Sequence, residues 1–311
     1  MTSTSLEQPP HARGTQHRPL LAALWMVGAI FGFSAMAVAG REVQGQLDTF
    51  EIMIWRSLLG LVVVDALALA RRRGAELAPR FMGQHILRNT AHFAGQNLWL
   101  HALTLIPLAQ LFAVEFSYPI MVALAAPLLL GERLMPVKLL TAAIGFAGIL
   151  LVARPWVAGG ISPGILAAFG AALGFAGSAI VTKRLTRRVT TLGILHWLCA
   201  IQLVLALAFA LWDGRMTWPA PVTWAPLVVI GLTGLLAHWC LTTALSLAPA
   251  SVVTPVDFLR LPLIGVVGMA LYGEPLDIWV FAGGAIIFAA NWINLAADAR
   301  ARRPPVPQTG A

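Results

Sequence analysis

The sequence of 311 residues predicts an all-α integral membrane protein with ten transmembrane helices in two inverted five-helix repeats. Three observations predict this fold. Apolar residues make up 59% of the chain and charged residues only 11%, whereas a typical soluble domain carries about 25% charged residues. The chain also divides into ten apolar segments of about 20 residues, the length that a membrane-spanning helix needs. Finally, its two halves match each other at a constant offset of 142 positions.

The offset repeat needs no gap and involves residues of several chemical types. The matched pairs are Gly28/Gly170, Gly32/Gly174, Phe33/Phe175, Trp55/Trp197, Pro107/Pro249, Phe116/Phe258, Gly131/Gly273, Glu132/Glu274 and Phe146/Phe288. Because each half holds an odd number of spans, the second half must enter the bilayer from the opposite side. Many secondary transporters have this inverted-repeat architecture.

The spans alternate with short connections along the whole chain. The first repeat is predicted at residues 20–153 and the second at residues 163–295. The ten spans are predicted at 20–40, 48–70, 84–106, 108–130, 136–153, 163–182, 190–212, 224–246, 250–271 and 277–295. Pro107 and Pro249 mark the breaks before spans four and nine, since each helix pair would otherwise be too long for one crossing. Residues 1–19 and 296–311 are predicted to be disordered cytoplasmic tails.

The distribution of basic residues predicts that both termini are cytoplasmic. In that orientation fifteen Lys and Arg residues fall in inner segments and three in outer segments, as expected for a bacterial-type inner membrane protein. Clustering between apolar segments argues against nucleic-acid binding, despite a net charge of +8. We therefore expect the lipid bilayer, and no nucleic acid, as a partner. Cys199 and Cys240 lie in apolar segments and predict no disulfide framework.

Two corresponding segments carry a recognisable motif. Ala102–Leu134 reads ALTLIPLAQLFAVEFSYPIMVALAAPLLLGERL, and Ala244–Leu276 repeats its AL-x-x-x-P start and G-E-x-L end. These segments resemble the EamA repeat of the drug/metabolite transporter superfamily, and the resemblance extends over about residues 20–295. It implies transport of small metabolites, often amino acids or related compounds, with export common. Gly273 is expected to end a helix in a left-handed turn and to place Glu274 near the start of the next helix.

Two acidic residues lie deep within spans at equivalent positions. An ionisable side chain at such depth costs at least ~2.5 kcal/mol, so it is expected to face a cavity or a partner. Glu115 and Asp257 are therefore candidates for binding substrate or a coupling proton. Pro119 removes the helical hydrogen bond to the Glu115 carbonyl, and Pro255 and Pro262 interrupt span nine in the same way. Both spans are predicted to kink beside a polar central cavity, with simple curvature of packed helices as the alternative.

Arginine residues within spans are the expected partners of these acids. Arg260 follows Asp257 by three positions, which predicts an ion pair. Arg56 is expected to pair with Glu115 or to bind a substrate carboxylate. Arg88 is expected to reach the inner lipid headgroups.

Polar residues also line one face of span three. His85, Asn89, His92 and Gln96 follow i, i+4, i+7, i+11 spacing and should face inward. His92 is a candidate proton carrier, with hydrogen bonding between helices as the alternative, and Gln96 is a further substrate candidate. The candidates for the cavity wall, with core packing as the alternative, are Trp55, Trp197, Phe33, Phe175, Pro119 and Pro262.

Together these features favour a secondary transporter that exports small zwitterionic or amphipathic metabolites by alternating access, with proton coupling left open. A facilitated uniporter is an alternative of the same class, and a membrane-embedded enzyme is an alternative of another class. No nucleophile–base pair, metal-ligand cluster or nucleotide-binding loop supports an enzyme. The sequence therefore predicts no catalytic residue, metal site or cofactor, and it does not select the substrate.

Overall fold

The computed structural model describes residues 18–130, 136–158, 160–185, 188–212, 214, 216–247, 253 and 256–301. Within these ranges the chain forms helices and no β-strand. Eight helical segments are long and apolar enough to cross a membrane, one of them made of two consecutive helices over Leu108–Ala125. The predicted all-helical, membrane-spanning class is therefore confirmed.

The helices follow one another through short connections. The first half contains α1 (Pro19–Val43), α2 (Thr49–Ala70), α3 (Met82–Leu105), α4 (Leu108–Glu115), α5 (Tyr118–Leu130) and α6 (Pro136–Ala153). After a single turn of helix, α7 (Pro155–Ala158), the second half contains α8 (Pro163–Leu185), α9 (Thr191–Ala210), α10 (Trp224–Leu247), α11 (Arg260–Tyr272) and α12 (Ile278–Ala301). Two 3-10 turns lie at Gly74–Leu77 and Pro221–Thr223.

Two predicted spans differ from the other eight. Helix α3 has 24 residues, but its polar face lowers its mean hydropathy. Helix α11 has only 13 residues, and a turn at 258–259 directly precedes it. The last helix continues to Ala301, so residues 296–301 are helical and were wrongly predicted to belong to the tail. Residues 1–17 and 302–311 lie outside the described ranges.

Local sequence explains several helix ends. Helix α2 begins with a capping box, in which Asp48 Oδ1 accepts from the Glu51 N–H and Glu51 Oε2 accepts from the Asp48 N–H. Gly273 ends α11 with a φ of 65°, a conformation that favours glycine. The predicted left-handed turn is thus confirmed there, while its counterpart Gly131 lies outside the described residues.

Helices of one half pack against helices of the other half, and three of these pairs, α2–α9, α4–α11 and α6–α12, are repeat-equivalent. The contacting pairs are α1 with α10, α3 with α8, α2 with α9, α4 with α11, and α6 with α12. Contacts along the pairs show that they run antiparallel: in the α2–α9 pair, Arg56 meets Gln202 whereas Asp65, further along α2, meets the earlier His196. Repeat-equivalent helices therefore run in opposite directions, and the two halves interleave.

Glycine residues permit the closest of these contacts. A Cβ atom on Gly174 of α8 would lie 2.7 Å from the Gly95 Cα and 2.8 Å from the Ala91 carbonyl oxygen, both on α3. A Cβ atom on Gly32 of α1 would lie 2.9 Å from the Ala237 Cβ on α10. The helix backbones could not approach this closely with larger residues at these positions.

Candidate substrate and coupling site

The central site is built on two helix interruptions. Phe116 and Ser117 separate α4 from α5, and Phe258 and Leu259 form the turn that precedes α11. Phe116 and Phe258 are equivalent residues, and their ring centroids lie 4.6 Å apart. The kinks predicted beside the two acidic residues are thus confirmed as interruptions of both helices.

The backbone at the first interruption forms hydrogen bonds within the protein. Asn291 Nδ2 on α12 donates to the carbonyl oxygen of Phe116 at 2.8 Å. Ser117 Oγ donates to the carbonyl oxygen of Val114 at 2.7 Å. The carbonyl oxygen of Phe116 is thus bound by a neighbouring helix.

The two prolines predicted to line a cavity occupy first helical turns. Pro119 is the second residue of α5 and is half-buried, whereas Pro262 is the third residue of α11 and is exposed on the bundle surface. Proline suits a first turn because the N–H groups there have no helical partner. The prediction that Pro262 lines the cavity is therefore wrong, since its side chain points away from the interior.

Beside the interruptions, Glu115, Asp257 and Arg260 form a group that we call the carboxylate–arginine cluster. Arg260 Nη2 lies 3.2 Å from Glu115 Oε1 and 3.4 Å from Asp257 Oδ2. Trp99 Nε1 donates to the other Glu115 oxygen at 2.7 Å. All three charged residues are buried. The predicted pairing of Arg260 with Asp257 is confirmed, and the partner of Glu115 is Arg260 rather than Arg56.

Aromatic rings enclose the guanidinium of this cluster. The rings of Phe33, Phe112 and Phe116 have centroids 4.8, 4.9 and 5.0 Å from the Arg260 Cζ. Such contacts favour a buried cation. With both carboxylates ionised the cluster carries a net charge of −1, and one added proton makes it neutral. The geometry can thus hold one exchangeable proton or one cationic group.

The charge of the cluster breaks the repeat symmetry. Glu115 and Asp257 are equivalent at the 142-residue offset, but the counterpart of Arg260 is Tyr118. The single guanidinium of Arg260 therefore pairs with both equivalent acids. Asp257 Oδ1 and Arg260 Nε have no hydrogen-bond partner among the described residues, so each keeps a free position for hydrogen bonding.

A second polar group, which we call the histidine–glutamine cluster, consists of Arg56, His92, Gln202 and His238. Arg56 Nη1 donates to Gln202 Oε1 at 3.4 Å, and Gln202 Nε2 lies 2.8 Å from His92 Nδ1. Arginine only donates, so the Gln202 oxygen faces Arg56 and its nitrogen donates to His92. The His92 and His238 ring centroids are 5.7 Å apart.

Phe33 connects the two clusters. Its ring packs edge-on against His238, with centroids 5.2 Å apart, and also faces Arg260. Phe175 lies beside His92 at a centroid distance of 5.5 Å. The structure thus brings both predicted phenylalanines to the polar interior. Gln96 is buried on the same side of α3 as His92, with 3% of its surface exposed.

The two predicted wall tryptophans lie away from this centre. Trp55 packs against Trp218 and Trp224 with centroid distances of 5.6 and 4.8 Å. Trp197 packs against His196 at 5.0 Å. Each lies about two helical turns from the start of its span, so these equivalent residues lie towards opposite ends of the bundle. The sequence predicted that both would line the central cavity, and the structure does not bring them there.

A small cavity borders the histidine–glutamine cluster. Its volume is about 20 Å³, enough for about one water molecule. It lies between α2, α9 and α10, and its polar wall includes Arg56, Ser57, Gln202 and His238. This cavity lies on spans two, seven and eight, whereas the sequence predicted a central cavity beside the kinked spans four and nine.

At the end of the bundle where α1 ends, an ion pair joins the two halves. Arg41 pairs with Glu274, and its Nη2 also donates to the carbonyl oxygens of Leu103 and Ile106 at 2.7 and 2.8 Å. Glu274 Oε2 accepts from the Leu108 N–H at 2.8 Å. We call this contact the Arg41–Glu274 latch. The Glu274 carboxylate therefore lies at the N-terminus of α4, while α12, the next helix in sequence, begins four residues later at Ile278.

Both halves of the chain match one protein family. Residues 20–154 and residues 162–296 each match the EamA-like transporter family. The chain belongs to the EamA-like transporter family. As a member it is a multi-pass transmembrane transporter and not an enzyme, and the two matched ranges correspond to the two interleaved halves.

Individual relatives of this EamA protein also span nearly its whole length. It is 32% identical over 284 residues to a riboflavin transporter of Brucella anthropi, covering 89% of this chain and 99% of that protein. It is 24% identical to an S-adenosylmethionine uptake transporter of Rickettsia felis, covering 89% and 93%. One solved crystal structure has the same fold, with a TM-score of 0.64, 21% identity and coverage of 91% and 99%.

Two polar residues of this EamA transporter's interior were not among the sequence candidates, namely Ser57 and Gln202, which line the cavity. The hydrogen bond from Trp99 to Glu115 was also not predicted. Gln202 had a usable signal, because an amide inside an otherwise apolar span is costly unless it has a partner. The roles of Trp99 and Ser57 depend on neighbours that are distant in sequence.

Proposed function

We propose that this EamA transporter moves a small polar metabolite across the bacterial inner membrane by alternating access between two inverted halves of five spans each. The observation that carries the proposal is the meeting of two repeat-equivalent acids, Glu115 and Asp257, on one buried arginine. Charged groups are expensive in a bilayer and mark substrate or ion pathways. The antiparallel pairing of equivalent helices supports rocking of one half against the other.

Ten spans and two cytoplasmic termini form part of this proposal. Helix α3, with 24 residues, is about 36 Å long, enough to cross a bilayer, and its polar side chains at His85, Asn89, His92 and Gln96 are buried. Helix α11 would be the second portion of an interrupted ninth span. A fluorescent protein fused to the C-terminus should fluoresce, and an alkaline phosphatase fused there should be inactive. The opposite pair of results would overturn the orientation.

Riboflavin is the first substrate to test. The transporter named for it is 32% identical and matches this chain almost end to end. The interior supplies aromatic rings and hydrogen-bonding groups side by side, as a flat heterocycle with polar edges requires. Amino acids and other zwitterions, which the family resemblance implied, are competing candidates to be assayed in parallel.

The test is flavin uptake by purified protein in liposomes, followed by flavin fluorescence and mass spectrometry. Saturable uptake above that of protein-free liposomes, inhibited by excess unlabelled riboflavin, is expected. Recovery of the unchanged molecule would distinguish transport from chemical conversion. Uptake equal to that of empty liposomes would refute riboflavin as the substrate.

We further propose that Glu115 and Asp257 couple transport to protons. The carboxylate–arginine cluster changes from −1 to neutral when it gains one proton, so protonation can accompany the conformational cycle. Glu115→Gln and Asp257→Asn should each weaken accumulation driven by a pH gradient. If an imposed pH gradient drives no accumulation by the unmodified protein, the facilitated uniporter is the better description.

Direction is a separate property, because alternating access is reversible and the prevailing gradients set net flux. The family resemblance implies export, whereas the name of the Rickettsia felis relative states uptake. The two directions predict opposite changes in the amount of substrate inside cells. We propose export as the direction to be tested first. Cells expressing the chain should then hold less substrate than control cells, and a higher cellular content would instead show uptake.

A further inference from the structure

We infer that Arg56, Ser57 and Gln202 form a subsite that binds the dione edge of a flavin ring. The inference rests on the proposed function and specifies how its substrate is recognised. The pyrimidine edge of a flavin presents two carbonyl oxygens on either side of one N–H. A matching site needs donors for the oxygens and an acceptor for the N–H. The wall of the small cavity supplies both.

Arg56 supplies unused donors. Its side chain is buried, with 7% of its surface exposed, and no carboxylate among the described residues forms an ion pair with it. Its hydrogen bonds are long, at 3.4 Å to Gln202 Oε1 and 3.7 Å to Met53 Sδ. A guanidinium carries five N–H donors. Arg260, by contrast, is held between two carboxylates, so Arg56 is the interior cation that is better able to bind a ligand.

Ser57 independently indicates a ligand. Its hydroxyl has no hydrogen-bond partner among the described residues, its side chain is buried with 2% exposed, and it lines the same cavity. Burial of an unpaired hydroxyl is unfavourable, so such a group marks a position where a bound acceptor would improve stability. A carbonyl oxygen in the cavity would be placed to accept from both Ser57 and Arg56.

Gln202 makes the site selective for an imide rather than for an anion. Its oxygen faces the cavity side of Arg56, so it can accept the N–H between the two flavin carbonyls. A carboxylate has no N–H to donate to that oxygen. The cavity, at about 20 Å³, accommodates one carbonyl-sized group. One carbonyl group of the dione edge therefore fits in this structure, while the rest of the edge and of the ring requires separation of the helices during the transport cycle.

The experiment compares ligands on the unmodified transporter. Binding is measured by quenching of flavin fluorescence in detergent, and transport is measured in liposomes. Lumiflavin, which keeps the dione edge but lacks the ribityl chain, should compete with riboflavin. N3-methylriboflavin, which cannot donate from that edge, should bind roughly tenfold more weakly, as expected for the loss of one to two hydrogen bonds.

Variants test the named residues. Gln202→Leu should weaken riboflavin binding roughly tenfold and abolish the preference over N3-methylriboflavin. Val204→Leu, on the exposed face of the same helix, should bind both ligands as the unmodified protein does. If Gln202→Leu does not fold, the comparison of riboflavin with N3-methylriboflavin on the unmodified protein still tests the subsite.

Two results would overturn the inference in distinguishable ways. Equal binding of riboflavin and its N3-methyl derivative by a protein that transports riboflavin would refute the subsite and leave the proposed function intact. Failure to bind or transport riboflavin at all would refute both the subsite and riboflavin as the substrate.

Discussion

Phe116 and Phe258, which occupy equivalent positions in the two halves, pack together with ring centroids 4.6 Å apart, tilted by 38°, where their helices are interrupted. Each is preceded by an acidic residue, Glu115 or Asp257. This contact lies beside the meeting of the two acids with Nη2 of Arg260, which belongs to only one half. A duplicated sequence thus produces a centre that is symmetric in its acids and asymmetric in its cation.

Arg260 should be needed chiefly to compensate the two buried acids. Arg260→Leu leaves both carboxylates without their cation and should destabilise the folded protein by about 3–5 kcal/mol. The triple variant Arg260→Leu, Glu115→Gln, Asp257→Asn removes all three charges and should recover most of that loss. Thermal unfolding in detergent measures the stability of the single and the triple variant. A single variant as stable as the unmodified protein would contradict the charge argument.

The Arg41–Glu274 latch should hold its end of the bundle closed. Glu274→Gln removes the charge that binds Arg41 and weakens the contact with the α4 N-terminus. A cysteine placed at Leu103, which is fully buried, should then react with a maleimide roughly tenfold faster in a background without the native cysteines, as expected for a loss of about 1.4 kcal/mol. Glu76→Gln, far from the latch, is the control. Equal labelling rates would show that this ion pair does not control access.

The α3–α8 contact should tolerate no added methyl group at Gly174. Gly174→Ala would place its Cβ atom 2.7 Å from the Gly95 Cα and should cost about 1–3 kcal/mol of stability. Gly177→Ala, on the same helix, meets Ala91 Cβ at an ordinary 3.6 Å and should be neutral. The difference in melting temperature between the two variants measures the effect. Similar melting temperatures would show that the helices separate easily.

Glu76, in the connection between α2 and α3, should not contribute to any pH response of transport between pH 5 and 8. The hydrogen bond from Arg73 lowers the pKa of this carboxyl below its ordinary value of 4.5. A lowered pKa means that the contact is present above about pH 4.5 and is lost as the pH falls further. Glu76→Gln should therefore leave the pH profile of uptake unchanged. A shifted profile would show that this connection takes part in coupling.

The sequence by itself determined the membrane class, the two halves and the residues at which spans four and nine are interrupted. Hydropathy, duplication and the effect of proline on a helix depend only on the order of residues, so they can be recognised without a structure. The local ion pair of Asp257 with Arg260 was also predictable, because both residues lie on one helical turn. The same reasoning placed His85, Asn89, His92 and Gln96 on one buried face.

Tertiary packing alone decided which distant side chains meet. Glu115 binds Arg260, 145 positions away, and Arg56 meets Gln202, 146 positions away. Both contacts depend on the antiparallel packing of repeat-equivalent helices, α4 against α11 and α2 against α9. Tertiary packing also places Trp55 and Trp197 towards opposite ends of the helix bundle and leaves Pro262 exposed on the bundle surface. A sequence pattern specifies which face of a helix is buried, but the neighbour on that face depends on how the two halves interlock.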